Sequence, residues 1–68
     1  MEKRIEDRLD AMISWLTKND INYSKREFKD DIDRMMNAAD EALWCGILSD
    51  REYDNIKATI TRKAIKYL

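Results

Sequence analysis

A small three-helix bundle is the fold this chain specifies, and three observations lead there. Proline is absent and glycine occurs once, at position 46, so the usual punctuation of non-helical chain is missing. Two stretches read almost alike: Tyr23-Ser24-Lys25-Arg26-Glu27-Phe28 and Leu48-Ser49-Asp50-Arg51-Glu52-Tyr53. Each is a capping box within a hydrophobic staple. The serine accepts from the amide three residues on, the glutamate reaches back, and the flanking apolar residues pack together. Apolar residues between these signals recur at helical spacing.

The first helix should run from about residue 2 to 18. Glu2, Glu6 and Asp7 suit its positive end and Lys18 its negative end. Asn19 is a natural stop, because it tolerates the left-handed conformation. Ile5, Leu9, Met12 and Leu16 form one stripe, widened by Ile13. The second helix, about 25–45, opens after Ser24 and closes at Gly46. Its buried stripe is Phe28, Ile32, Met35, Ala39, Ala42 and Leu43, with Met36 on the flank. Ile47 is expected to fold back on its last turn. The third helix, about 50–67, carries Tyr53, Ile56, Ile60, Ala64 and Tyr67, with Leu68 beside them and Ile65 well off the stripe.

The link from Gly46 to Leu48 is short, so the second and third helices form an antiparallel hairpin. Lys57, Arg62, Lys63 and Lys66 should then neutralise Asp30, Asp31 and Asp33, each exposed pair contributing ~0.2–1 kcal/mol. Residues 1–68 make one domain. A chain this small buries only about 60% of its unfolded surface. The alternative architecture is therefore a helical hairpin that dimerises, the first helix completing the partner's core.

Composition narrows function more than it identifies it. Charged residues are 40% of the chain, yet the net charge is -1, unlike a general nucleic-acid binder. Histidine is absent, which removes the commonest general base. Ser24 and Ser49 are accounted for as caps, and no glycine-rich phosphate loop exists. No catalysis and no cofactor are expected. Cys45 is alone, so it forms no intramolecular disulfide, and it should be half-buried near a helix end. Carboxylates at Asp30 and Asp33 with Asn37 share a helix face, but carboxylate metal sites in bundles draw ligands from several helices. No metal is expected. The amino-terminal segment carries acids where a signal peptide needs an apolar run, and the longest uncharged stretch, residues 42–49, is too short to span a bilayer. A cytoplasmic protein without membrane attachment is expected.

The sharpest candidate surface is the second stripe of the second helix. Asp30, Asp33, Asn37, Asp40 and Trp44 are spaced 3, 4, 3 and 4, with Glu41 beside them, opposite the buried stripe. Tryptophan is enriched at binding hot spots, so a tryptophan ending an acidic row points to a protein partner, the acids steering and the indole anchoring. Trp15 sits on the flank of the first helix, either packing at a bundle edge or joining the interface. Two tryptophans and an off-stripe Ile65 exceed what one small core needs.

Nucleic-acid recognition is the alternative, through Lys57, Arg62, Lys63 and Lys66. A helix-turn-helix reading fits poorly. Its first helix would be too long, Asp50, Glu52 and Asp54 would repel phosphates, and Glu52 and Asn55 fall where apolar residues should pack. A structural homodimer is the third reading.

The stretch from Gly46 to Tyr53 resembles the glycine–apolar–serine–x–x–glutamate opening of short helical modules in bacterial proteins, a likeness that carries no function. A stand-alone, highly charged helical chain of this size is similar in style to small phage and mobile-element proteins. That likeness implies stoichiometric inhibition of a host nucleic-acid machine, as by anti-CRISPR proteins.

Overall fold

The computed structural model describes residues 2–18 and 22–68, and the backbone but not the side chain of Glu2. It contains three α-helices: α1 (Glu2–Thr17), α2 (Lys25–Trp44) and α3 (Asp50–Ala64), followed by a 3₁₀ turn (Ile65–Tyr67). The expected stop at Asn19 lies outside the described residues.

Both capping signals mark helix starts. Ser49 Oγ accepts from Glu52 N, and Glu52 Oε1 accepts from Ser49 N, both at 3.1 Å. At Ser24 the serine half is formed, Oγ accepting from Glu27 N at 3.2 Å. The end of α2 is a Schellman turn. Gly46 N donates to Leu43 O (3.1 Å) and Ile47 N to Ala42 O (2.8 Å), with Gly46 at φ +77°. α3 has no glycine stop, so its last turn tightens to 3₁₀ geometry instead of remaining α-helical to residue 67.

The three stripes meet in one core. Leu9 and Met12 of α1, Phe28, Ile32 and Ala39 of α2, and Ile56, Ile60 and Ala64 of α3 are buried together with Leu48. Ile5, Ile13, Leu16, Met35, Met36, Ala42, Tyr53 and Tyr67 pack around them. Phe28 meets Tyr67 edge to face, with ring centroids 6.2 Å apart, so the start of α2 lies beside the end of α3. That is the antiparallel hairpin. Glu6 and Asp10 of α1 pair with Arg62 and Lys63 of α3 in ascending order, so α1 and α3 run parallel. The bundle is therefore up-down-up, 38 Å long and 17 Å across. α1 packs on its own α3.

Those ion pairs also redirect the expected charge pairing. Arg62 lies 3.9 Å from Glu6, and Lys63 donates to Asp10 at 2.8 Å. Arg62 and Lys63 of α3 thus meet acids of α1. The acid that faces them is decided by which helix stands beside that edge of α3, a tertiary choice. Asp31 instead accepts from the Tyr23 hydroxyl at 2.8 Å and lies 3.9 Å from Arg34 on its own helix.

Candidate functional site

The outer face of α2 turns the residues Asp30, Asp33, Asn37, Asp40 and Trp44 away from the core, and all of them are exposed, as is Glu41. From Asp30 to Trp44 the row extends about 21 Å along the helix at 1.5 Å per residue. Trp44 is 90% exposed, so neither the 46–48 turn nor α1 covers the indole. The turn leaves it bare because the Schellman bonds carry the chain across the α1 and core side of the helix end.

The row is not uniform. The Tyr53 hydroxyl donates to Asp40 Oδ1, tying that carboxylate to α3 and raising the tyrosine's pKa above its ordinary value. Asp33 borders a shallow groove shared with Lys25, Arg26, Lys29, Ile32 and Leu68, so the first turns of α2 are basic. The acidic character is concentrated between Asp30 and Glu41.

Two hydrophobic positions near Trp44 depart from expectation. Ile47 does fold back through its amide, but its side chain stays 68% exposed. The opposing residue in the turn is Ala42, too small to cover an isoleucine. Cys45 is a free, exposed thiol rather than a half-buried one, because it lies about a quarter-turn off the buried stripe. Trp44, Cys45 and Ile47 therefore form an exposed tip at one end of the bundle. The α-helical wheel located Trp44; Ile47 lies beyond the helix, where the wheel no longer assigns a side.

Trp15 is a different case. It is 39% exposed, its ring meets Tyr23 edge-on at 5.5 Å, and the Arg8 guanidinium lies 5.7 Å above it. It packs at the bundle edge, at the opposite end from Trp44. Tyr23 is held neutral well past the usual tyrosine range, mainly by burial and then by its bond to Asp31. Ile65 and Leu68 are exposed near that same end.

The alternative basic surface is partly consumed. Arg62 and Lys63 face acids of α1, and Lys57 lies 5.6 Å over the Tyr53 ring. Lys66 is exposed. Among the described residues no group of three or more cysteine, aspartate or glutamate side chains is arranged to hold a metal ion. No described helix is long and apolar enough to cross a membrane.

Fold and surface together define a small all-α bundle with one bare aromatic beside an acidic helix face. No protein-family model matches the chain, and no curated protein and no solved structure matches it significantly.

Proposed function

We propose that this chain is a non-catalytic binding protein whose outer α2 face docks on a larger, basic partner. The observation that carries the reading is Trp44, 90% exposed at the end of the acidic row. An indole left bare in a core this thin has large apolar area to bury against something else, and the acids beside it would raise the encounter rate with a cationic surface. A basic nucleic-acid groove has the charge this row fits, which is the mode of a phage or mobile-element inhibitor acting by occupancy. The exposed free thiol of Cys45 suits a reducing cytoplasm.

The test is titration of the chain against the protein that co-purifies with it, using Trp44→Ala and the pair Asp30→Lys with Asp33→Lys. Asp40 is left alone because it also serves Tyr53. Trp44→Ala should weaken binding by about 2 kcal/mol or more, roughly 30-fold, while circular dichroism stays unchanged. The lysine pair should slow association most at low salt. If Trp44→Ala melts the fold or leaves affinity untouched, the reading fails.

A further inference from the structure

Among the described residues, every aromatic ring but one has a ring or a cation against it. Phe28 meets Tyr67 edge to face, and Trp15 meets Tyr23 in the same manner. Trp15 and Tyr53, both partly exposed, each carry a cation as well. The Arg8 guanidinium lies 5.7 Å from the Trp15 ring and the Lys57 ammonium 5.6 Å from the Tyr53 ring. Trp44, the most exposed of them at 90%, has neither.

Its surroundings select what it can hold. Asp40 and Glu41 precede Trp44 by one helical turn, and helical side chains lean toward the preceding turn. Two carboxylates beside a bare indole attract the same charge as the ring's negative face does. Asp40 is also held in place from outside its own helix. Tyr53 of α3 donates its hydroxyl to Asp40 Oδ1. A carboxylate offers about four acceptor sites, so this bond fixes the group and leaves its second oxygen for a ligand. Lys57 is engaged on the Tyr53 ring.

Shape separates the two cationic side chains that proteins offer. A guanidinium is planar and weakly hydrated, so it stacks on an indole face while donating within its plane to a carboxylate. An ammonium is compact and strongly hydrated, with no face to stack. A held carboxylate one turn from a bare indole fits the guanidinium.

We propose that Trp44, Asp40 and Glu41 form a receptor for an arginine side chain of the partner, with Tyr53 positioning Asp40. This deepens the docking reading above, on which it rests, by naming the partner group that the face takes.

Titration calorimetry of the full chain with oligo-arginine and oligo-lysine peptides of equal length, at fixed ionic strength, tests it. Equal charge on the two peptides cancels the general attraction of the acidic row. Oligo-arginine should bind about fivefold tighter. Trp44→Leu, apolar but without a ring, should bring the two affinities to within about twofold. Tyr53→Phe keeps the ring beneath Lys57 and removes only the hydroxyl. It should narrow the ratio in the same way and leave oligo-lysine binding unchanged, whereas a purely structural role would move both affinities together. No binding of either peptide, equal affinities in the parent, or a preference that survives either substitution overturns the proposal. Where Tyr53→Phe loses helicity by circular dichroism, Asp40→Asn decides, because its amide oxygen still accepts from Tyr53: a preference that survives it overturns the proposal. The titrations need no partner protein, so their failure leaves the Trp44→Ala docking test to stand or fall by itself.

Discussion

Glu52 shows how much one exposed side chain can contribute to a helix start. Its carboxylate accepts the Ser49 backbone N–H, and this bond first, then the serine side chain, holds its pKa below the ordinary 4.5. A lowered folded pKa means a contribution that is complete above the unfolded value and lost as pH falls through the folded one. Glu52→Gln keeps an accepting oxygen but cannot titrate. Its acid unfolding limb, followed by thermal melts between about pH 5 and pH 2, should be shallower than that of the parent. Superimposable limbs would mean the carboxylate charge adds nothing. Tyr53 works in the opposite sense. Its bond to Asp40 raises the phenol above 10.0, so its contribution is present below that value and lost as pH climbs through the raised one. Tyr53→Phe should flatten the alkaline limb of the same melts.

At the scale of the element, the α2–α3 turn is the most constrained piece of backbone. Gly46 sits at φ +77°, and a Cβ there would meet nothing within 4 Å. The cost of a side chain is therefore purely conformational. Gly46→Ala should destabilise by about 1 kcal/mol, and Gly46→Asn by less, since asparagine tolerates the left-handed region. In a domain this size that corresponds to about 4–8 °C in Tm for alanine. Equal losses for the two variants would place the cost elsewhere. The turn also explains why the end of α2 and the start of α3 are legible in the sequence. Ser49 paired with Glu52 declares a start, and Gly46 declares a stop, through bonds that close within five residues. The end of α3 carries no such signal, so the 3₁₀ turn at residues 65–67 is not legible in the sequence.

The whole molecule rests on a core of few side chains. Phe28 is fully buried, is the largest of them, and bridges α2 to the end of α3 through Tyr67. Phe28→Ala should cost about 3–5 kcal/mol. Total stability for a chain of this length is about 3–10 kcal/mol. Calorimetry should therefore find the variant largely unfolded near 37 °C or with a steeply lowered Tm. A shift of only a degree or two would show that the bundle collapses around the gap. This thin core is also why the up-down-up arrangement leaves the α1/α2 side partly open: α3 is shared by both neighbours, and one latch at Trp15 and Tyr23 serves the remaining pair.

Helix number, starts, the buried stripes apart from Leu43, which is only part-buried, and the outward side of Asp30, Asp33, Asn37, Asp40 and Trp44 were determined by the sequence alone. They follow from local rules: capping bonds within four residues and a fixed 3.6-residue period. Which charges meet was not legible. Arg62 and Lys63 find Glu6 and Asp10, more than fifty residues away, because α1 docks beside that edge of α3. The bareness of Ile47 and the edge packing of Trp15 were decided in the same way. Each depends on the distance and angle between helices, which only the packing of all three can set.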